Sequence, residues 1–438
     1  MPHRLSRRRF LQTAAGAAAL SSVPLLHAAE KKLAANERLH VGVVGTFNRA
    51  GGNINDLVSA GAEIVALCDV DENRSGKVRE RFPKASFDVD FRKMIERKGL
   101  DAVLCATPDH QHAFVTMAAL RAGLHVYCEK PLTHSVGEAR LVAETAAKQK
   151  LVTQMGTQIH AGENYRRVVE LIQSGAIGTV REAHTWCGRV YGGKERPKES
   201  EPVPAGLHWD QWVGPAPMRP FYHGPNKMAN GLYHPFNWRD FWDFGGGMLN
   251  DMACHHMDLP FWALKLRHPT RIAAEGPPVH SESVCSWSIV HYDFPARGEL
   301  PAVKLTWYHG RKRPELLAQP GMPKWGDGNL FVGDKGMLLA DYGRRMLLPE
   351  KEYAGFKAPE PFIKNSIGHH KEWLEACKNG GTTTCNFDYS GALTEAVLLG
   401  TVSYRCGKPL VWDAAKLKAD VPDAEQYIHK AYRKGWVL

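Results

Sequence analysis

Three residues have the types and spacing needed to hold a hydroxyl group and move its proton. Asp251 and His255 lie four positions apart, so a helix would place both side chains on one face. A histidine beside a carboxylate is a candidate general base near neutral pH. Lys130, in Glu129-Lys130-Pro131, could donate a hydrogen bond to a substrate hydroxyl and favour its deprotonation. The pattern predicts chemistry at a carbinol, with Asp251 orienting His255 and Lys130 polarising the hydroxyl.

A second segment is typical of a loop that binds phosphate groups. The run from Gly45 to Ala50 keeps the first glycine and the final small residue of the pattern G-x-G-x-x-G/A. Phe47 stands where a glycine normally lets the backbone approach a pyrophosphate, and Gly51 and Gly52 could supply that approach from a shifted loop. We therefore predict that a nucleotide is bound by four residues of this loop, Gly45, Phe47, Asn48 and Arg49.

Asp69 supports the nucleotide interpretation and indicates which nucleotide is bound. It ends the second predicted strand, 24 residues after Gly45, where an acid binds the hydroxyls of the adenosine ribose. A carboxylate there would repel a 2′-phosphate, and no arginine follows immediately, so NAD is favoured over NADP. An Asp that only caps a helix at the strand end is the alternative.

Two further segments follow predicted buried strands. The carboxyl ends of parallel strands form the edge at which ligands bind. The residues predicted to contact the cofactor there are Thr107, Pro108, His112, Glu129 and Lys130.

Other arrangements of the catalytic residues stay open. Lys130 could be a solvated lysine at a strand end, and His255 could be a core residue while His256 faces the site. Cys254, His255, His256 and Asp258 contain ligand types for a metal ion, but consecutive residues on a helix point in different directions. No metal site is therefore predicted.

Aromatic residues cluster just before the catalytic segment. The chain has 12 tryptophans, and most of them must serve core packing. Flat aromatic faces with one polar edge suit the C–H faces of sugar rings. The residues predicted to contact a substrate are Trp209, Trp238, His234 and His256.

The secondary structure expected to position these residues differs between the two parts of the chain: strands and helices alternate in the first part, and strands predominate in the second. Strands expected at 41–45, 63–69, 101–107, 125–129 and 152–155 alternate with helices at 54–60, 73–81, 91–97, 112–122 and 137–148. This alternation predicts a parallel, doubly wound sheet in a dinucleotide-binding domain over residues 38–158.

A second domain is predicted over residues 159–438. After a helix at 164–173, strands at 180–189, 284–294 and 303–308 and a hairpin at 330–348 indicate a mostly antiparallel sheet. Residues 194–238 are rich in Pro, Gly and Trp and are typical of a long functional loop. Helices are expected at 371–377 and 391–404.

Over roughly residues 38–412 the chain resembles the glucose–fructose oxidoreductase, inositol dehydrogenase and rhizopine catabolism (Gfo/Idh/MocA) family. Glu129-Lys130-Pro131 and the Gly-rich run into Asp251-x-x-x-His255 carry the resemblance, and Phe47 departs from it. The resemblance implies a Rossmann domain followed by an α/β domain with an open, mostly antiparallel sheet. It also implies hydride exchange between a nicotinamide and a sugar or polyol, catalysis by Lys130, Asp251 and His255, and a homodimer or homotetramer.

The N-terminus is typical of a twin-arginine export signal. Ser6-Arg7-Arg8-Arg9-Phe10-Leu11 precedes a mildly apolar run and a small-residue exit at His27-Ala28-Ala29. We expect a signal peptide over residues 1–29, a linker over 30–37 and a periplasmic or other extracytoplasmic destination. The alternatives are an ordinary secretory leader and a basic N-terminus with no targeting role. Because no nicotinamide pool exists there, the cofactor is expected to be tightly bound and recycled.

Composition narrows the possible partners. The hydrophobic fraction of 44% and charged fraction of 23% are those of a soluble globular protein. No basic cluster interleaved with aromatics occurs in the body of the chain, which argues against nucleic acid. The leader is too short and Ala-rich for stable membrane insertion. Nine irregularly spaced cysteines do not indicate a disulfide framework, which fits folding in a reducing cytoplasm before export.

The sequence thus predicts an NAD(P)-dependent oxidoreductase that acts on a sugar, polyol or glycoside. A first alternative is a glycoside hydrolase that oxidises a sugar hydroxyl transiently, eliminates the aglycone and then returns the hydride. A second alternative is a non-catalytic sugar-binding protein that merely retains the fold.

Overall fold

The computed structural model describes residues 38–224 and 231–438. The predicted signal peptide and linker, residues 1–37, lie outside the described residues. All nine cysteines are free thiols. Within the described ranges, no helix is both long enough and apolar enough to cross a bilayer.

The first sheet has six parallel strands in the order β3-β2-β1-β4-β5-β6, which confirms the predicted doubly wound architecture. The strands are short and mostly buried, as expected for a sheet covered on both faces. They are β1 (His40–Val44), β2 (Glu63–Cys68), β3 (Ser86–Asp88), β4 (Ala102–Cys105), β5 (His125–Cys128) and β6 (Thr153–Met155).

Five helices connect these strands, and local capping sets where several of them start. The Asp71 carboxylate accepts the backbone N–H groups of Asn73 and Arg74, and Glu138 accepts the N–H of Ser135 at 2.9 Å. The helices are α1 (Arg49–Ser59), α2 (Glu72–Arg81), α3 (Phe91–Ile95), α4 (Asp109–Arg121) and α5 (Val136–Gln149). Helix α4 begins three residues before its predicted start and is buried on nearly every side.

The second sheet has nine strands in the order β13-β12-β11-β7-β10-β9-β8-β14-β15. Strands β7 and β10 pair in parallel and the other pairs are antiparallel, which confirms the predicted mostly antiparallel sheet. The strands are β7 (Val180–Cys187), β8 (Arg271–Glu275), β9 (Ser288–Phe294), β10 (Val303–His309), β11 (Gly328–Gly333), β12 (Met337–Ala340), β13 (Arg345–Leu348), β14 (Leu410–Asp413) and β15 (Lys418–Ala419).

Two details of this sheet differ from the predicted strands. Strand β9 begins at Ser288 and not at Val284, because the Val284 N–H donates to the Asp240 carbonyl oxygen at 2.9 Å and ties that segment to a different part of the chain. Strands β8, β14 and β15 were not predicted: β8 has one fully buried residue, Ile272, and charged ends, and β14 and β15 are only four and two residues long.

The helices of the second domain place the catalytic segment. Helix α8 packs against α11 and β7, and a Cβ at Gly400 of α11 would lie 3.0 Å from the Leu249 side chain of α8. This close packing fixes the face that carries Asp251 and His255. The helices are α6 (Glu163–Gln173), α7 (Trp209–Val213), α8 (Gly247–His256), α9 (Asp258–Ala263), α10 (His369–Asn379), α11 (Phe387–Cys406) and α12 (Glu425–Ile428).

Candidate active site

A cavity of about 730 Å³ lies at the carboxyl edge of the first sheet and reaches helix α8. Both domains contribute to its wall. The residues on the wall that were predicted from the sequence to have a functional role are Gly45, Phe47, Asn48, Arg49, Asp69, Thr107, Pro108, Glu129, Lys130, His234, Trp238, Asp251 and His255.

The loop after β1 leaves the start of helix α1 open to the cavity. Gly45 has a φ of +79°, and a Cβ there would lie 2.7 Å from the Ala106 carbonyl oxygen, so glycine is required. Asn48 also has a positive φ, of 59°, and no side chain caps the N-terminus of α1. Uncapped N–H groups at a helix start bind phosphate oxygens well. The Phe47 ring is 45% exposed, with the Arg74 guanidinium 5.0 Å from its centroid.

Asp69 is fixed at the end of β2 by its own neighbours. Its Oδ2 accepts hydrogen bonds from the backbone N–H and the hydroxyl of Thr46, both at 2.8 Å, and its Oδ1 accepts the Asp71 N–H at 3.0 Å. Burial raises the pKa of Asp69, and these hydrogen bonds oppose the increase. The carboxylate keeps acceptor capacity on Oδ1 for a further hydroxyl.

Glu129 and His112 support the wall in different ways. Glu129 Oε1 accepts from Arg49 Nε at 3.2 Å and from Asn53 Nδ2 at 2.8 Å, so it orients the arginine at the start of α1. His112 is not on the wall: its two ring nitrogens lie 2.7 Å from the carbonyl oxygens of Pro131 and Thr107. The prediction that His112 contacts the cofactor places it wrongly, because α4 turns its ring behind the wall.

Lys130 and Asp251 form an ion pair across the two domains. Lys130 Nζ donates to the Asp251 carboxylate and, at 2.9 Å, to the Asp251 carbonyl oxygen. Tyr191 Oη donates to Asp251 Oδ2 at 3.2 Å, and Arg239 Nε lies 3.6 Å from Oδ1. Burial alone would raise the pKa of Asp251, but the charges of Lys130 and Arg239 hold that pKa below its ordinary value.

The carboxylate of Asp251 therefore binds Lys130 and does not orient His255 as predicted. Asp251 and His255 do share a helix face. The Asp251 carboxylate nevertheless binds Lys130, which follows the end of strand β5. Within the described residues the His255 ring has no hydrogen-bond partner, and its backbone carbonyl accepts from Tyr165 Oη at 3.2 Å. Burial and the charge of Lys130 lower the pKa of His255 well below its usual range, so the ring is neutral at pH 7.

Asp109 is a candidate functional residue that the sequence reasoning missed. It is the first residue of α4, it lies on the cavity wall, and its side chain is buried without a hydrogen-bond partner among the described residues. Burial raises its pKa to about 6, against the lowering charges of His112 and Arg239. The sequence did contain a signal for this residue, because Asp109 directly follows Thr107-Pro108 at the end of a predicted strand, where ligands bind.

The residues predicted to contact a substrate divide into two layers. Trp238 and His234 are on the wall, and His234 Nε2 lies 2.7 Å from Asp71 Oδ2. Trp209 lies one layer back, stacked on Trp212 with centroids 4.6 Å apart, and Trp212 takes its predicted place on the wall. Helix α7 turns Trp209 toward the apolar cluster of the long loop, which the sequence pattern did not reveal.

His256 also lies behind the wall. Its ring stacks on that of Tyr342, which lines the cavity, with centroids 5.0 Å apart. Three of the four residues considered as metal ligands lie apart from one another: His255 faces the cavity, His256 lies near Cys187 and Asp327, and Asp258 binds His160 at 2.9 Å.

The doubly wound sheet and a cavity that contains a lysine and a neutral histidine are typical of nucleotide-dependent enzymes. Comparison with known families supports this assignment. The chain belongs to the Gfo/Idh/MocA oxidoreductase family. Residues 39–157 match its NAD-binding Rossmann fold and residues 166–300 match its C-terminal alpha/beta domain.

Individual relatives cover part of the chain. It is 37% identical over 153 residues to an inositol 2-dehydrogenase 3 of Saccharopolyspora erythraea, a match that spans 33% of this chain and 44% of the relative. It is 26% identical over 203 residues to a glycosyl hydrolase family 109 protein of Shewanella pealeana, spanning 40% of this chain and 44% of that one. A solved NAD-binding protein from Listeria innocua shares the fold, with a TM-score of 0.59, 14% identity, and coverage of 85% of this chain and 96% of that one.

Proposed function

We propose that this protein is an NAD-dependent oxidoreductase that acts on a sugar, polyol or glycoside and keeps its cofactor tightly bound. The observation that carries the proposal is the position of Lys130 Nζ and the neutral His255 ring on the same cavity wall as the open start of α1 and Asp69. Known relatives include inositol 2-dehydrogenases, which supports a polyol or sugar as substrate.

The residues of the cavity fit a dinucleotide. The uncapped N-terminus of α1, with Arg49 beside it, offers donors for a pyrophosphate, and Asp69 offers an acceptor for the ribose hydroxyls. Phe47 lies half-exposed at the rim and leaves the N–H groups of α1 accessible. NAD held by these residues would supply the acceptor for a hydride from the carbinol carbon of the substrate.

Lys130 and His255 act on the hydroxyl group of the same carbinol. Lys130 Nζ, held by Asp251, donates a hydrogen bond to the hydroxyl oxygen and stabilises its developing negative charge. His255 accepts the hydroxyl proton, so loss of a proton and a hydride converts the carbinol to a carbonyl. The Asp251 carboxylate and carbonyl oxygen both accept hydrogen bonds from Lys130 Nζ and hold it in place, which makes Asp251 a positioning residue for the lysine.

Asp69 should decide between NAD and NADP. Replacing Asp69 with Asn removes the charge that repels a 2′-phosphate, while Arg74, which also lines the cavity, remains available to bind it. We expect the ratio of the two dissociation constants to shift toward NADP by at least about tenfold, or about 1.4 kcal/mol. Calorimetric titration of both nucleotides measures this ratio. An unchanged ratio, equal to that of the exposed control Asp423→Asn, would show that Asp69 does not face the ribose.

Asp109 should give the activity a pH dependence near its raised pKa of about 6. Above this pH its carboxylate is charged and adds to the acidic surroundings of Lys130; below it the charge is lost. We expect kcat/KM to fall as the pH drops through about 6, and the Asp109→Asn variant to lack this limb. A limb that persists in the variant would assign the titration to another group.

The same residue should affect stability in the opposite direction. The folded state holds a proton on Asp109 up to about pH 6, whereas the unfolded chain loses it near pH ~4. The folded state therefore binds more protons in that interval, and stability falls as the pH rises through it. At pH 8 the free energy of unfolding of Asp109→Asn should exceed that of the wild type by about 3 kcal/mol, and the variant should unfold at a higher temperature. Calorimetry at pH 4 and pH 8 tests this, since the gain should vanish at the lower pH.

We further propose that the protein is exported by the twin-arginine route, with its cofactor already bound, to a periplasmic or other extracytoplasmic compartment. The support is the Ser6-Arg7-Arg8-Arg9-Phe10-Leu11 segment. A second sugar, a ketone or the oxidised substrate itself would then take the hydride back. Fractionation of cells that express the wild type and an Arg7→Lys, Arg8→Lys variant tests the route.

We also propose that the protein forms a homodimer or homotetramer. Light scattering on the purified protein measures its mass in solution and checks this.

A redox glycosidase is the second candidate function, and the similarity to a glycosyl hydrolase family 109 protein favours it. Oxidation of a ring hydroxyl to a ketone acidifies the neighbouring C–H, the aglycone leaves by elimination, water adds, and the returned hydride completes a net hydrolysis. The two candidates differ in product. A free aglycone with no net change in the cofactor indicates the glycosidase, whereas an oxidised or reduced sugar indicates the oxidoreductase.

A further inference from the structure

We propose that the second cavity of the protein, at the start of helix α8, is a binding site for a tetrahedral oxyanion, either inorganic phosphate or the phosphate group of a small ester. This site is separate from the proposed function. The cavity has a volume of about 210 Å³. Its wall comes from the start of α8, the end of α11, the turn before α5 and the C-terminal segment, and the residues that carry the argument are His134, Asp243, Gly246, Asn250, Arg405 and Lys430.

Two cations face this cavity without a carboxylate partner. The Arg405 guanidinium lies between two aromatic rings, 5.0 Å from the centroid of Trp242 and 4.1 Å from that of Tyr427. Within the described residues its side chain forms no hydrogen bond and no ion pair. Lys430 Nζ contacts one partner, the Nδ1 atom of His134. A partly buried cation is usually paired with an anion, so these two residues favour an anionic ligand in the cavity.

His134 cannot supply the missing negative charge. Its Nε2 lies 3.1 Å from the Gly245 carbonyl oxygen and donates to it, while Nδ1 accepts from Lys430, so the ring is a neutral imidazole. Burial lowers the pKa of His134, Lys430 and Arg405, and the positive charges of Lys430 and Arg405 contribute further to the lowered pKa of His134. The charges of Glu138 and Asp243 act on the pKa of Lys430 in the opposite direction, although neither carboxylate forms an ion pair with it.

The nearby carboxylates are already engaged elsewhere. Asp243 Oδ2 accepts from Arg219 Nε at 2.6 Å and from Arg196 at 3.3 Å. Glu138 accepts the N–H groups of His134 and Ser135, both at 2.9 Å, through one oxygen and the Tyr432 hydroxyl at 3.0 Å through the other. Neither acid forms an ion pair with Lys430 or Arg405.

The start of helix α8 adds neutral donors to the two cations. Gly245 and Gly246 line the cavity; the Gly245 N–H donates to the Phe241 carbonyl oxygen at 2.9 Å, and no side chain caps the helix at Gly246. Asn250, one turn later, accepts from the Thr401 hydroxyl through Oδ1 at 2.9 Å, which leaves its Nδ2 group as a donor. Backbone N–H groups at a helix start, a planar guanidinium and an ammonium together form the donor set that recognises phosphate.

Titration with inorganic phosphate at constant ionic strength tests the site, with chloride as the reference ion. Saturating NAD is added to occupy the active-site phosphate loop. We expect saturable binding with one phosphate per chain. Arg405→Gln and Lys430→Gln should each weaken the binding at least tenfold, whereas Lys434→Gln, an exposed lysine nearby in sequence, should leave it unchanged. Arg405→Lys should recover part of the loss, which separates the charge effect from a packing defect.

Each outcome decides the proposal. No saturable binding, or equal binding in all four variants, overturns it. If the Gln variants fail to melt cooperatively, the comparison of Arg405→Lys with the wild type decides, since a weakened but saturable titration still supports the site. Glycerol phosphate is then added as a competitor to identify the source of the phosphate group. If it displaces bound inorganic phosphate from the wild type, and the Arg405 and Lys430 variants weaken its binding too, the site accepts a phosphate ester. If it displaces no inorganic phosphate, the site binds the free ion. Binding that persists in a protein unable to bind NAD would support this site while refuting the proposed function.

Discussion

Replacing Lys130 with methionine should lower kcat by about 10³-fold, within the range expected for the loss of a donor that stabilises developing negative charge on a substrate oxygen. Lys130 Nζ is the one ammonium group on the described cavity wall, and Asp251 directs it there. Methionine retains the length and apolar stem of the side chain, so the cavity shape should persist. The measurement is the steady-state rate on the sugar or glycoside that a substrate screen identifies, together with the nucleotide content of the variant.

The controls for Lys130 separate chemistry from stability. Removing one partner of a largely buried ion pair costs about 3–5 kcal/mol, so the melting temperature of the variant must be measured as well. Asp251 keeps Arg239 and Tyr191 as neighbours, which should limit that cost. The exposed control Lys148→Met should match the wild type. A folded Lys130→Met protein whose kcat falls less than tenfold would remove Lys130 from the mechanism.

Replacing His255 with glutamine should lower kcat/KM by about 10²- to 10³-fold, because the proton acceptor for the substrate hydroxyl is lost. The pKa of His255 lies well below its usual range, so the wild-type ring is neutral at pH 7. His255 should therefore contribute no pH limb near 6.5. Parallel pH–rate profiles of wild type and variant above pH 6 measure this.

The neighbouring histidine provides a matched control for His255. His256→Gln changes the same side chain one position along α8, where the ring lies behind Tyr342. We expect its kcat/KM to fall less than about fivefold, as is usual for residues outside the reacting centre. A larger loss in His256→Gln than in His255→Gln would mean that the alternative histidine faces the substrate and that the assignment of the base is wrong.

The sequence was sufficient to predict the first domain and the place of its ligand site. Short apolar strands alternating with helices dictate a doubly wound sheet, and the ends of β1, β2, β4 and β5 then converge on one edge. For that reason Gly45, Asp69, Thr107 and Lys130 could be assigned to one cavity from local patterns alone.

Tertiary packing decided the features that local patterns could not predict. Helical spacing correctly indicated that Asp251 and His255 share a face, but the carboxylate pairs with Lys130, which lies 121 positions away in the chain. The rotation of α4 and α7 about their axes places His112 and Trp209 behind the wall. The burial of Asp109 depends on tertiary packing that the sequence around it does not reveal.

The measurement that tests the central claim most directly is the nucleotide content of the purified protein. The protein is denatured, and the released nucleotide is identified by chromatography and mass and quantified against the chain. The account predicts about one equivalent of NAD per chain, because the start of α1 and Asp69 hold it in the cavity beside Lys130 and His255. A protein that releases no nucleotide and also fails to bind added NAD or NADP would contradict the account and leave a sugar-binding protein that retains the fold.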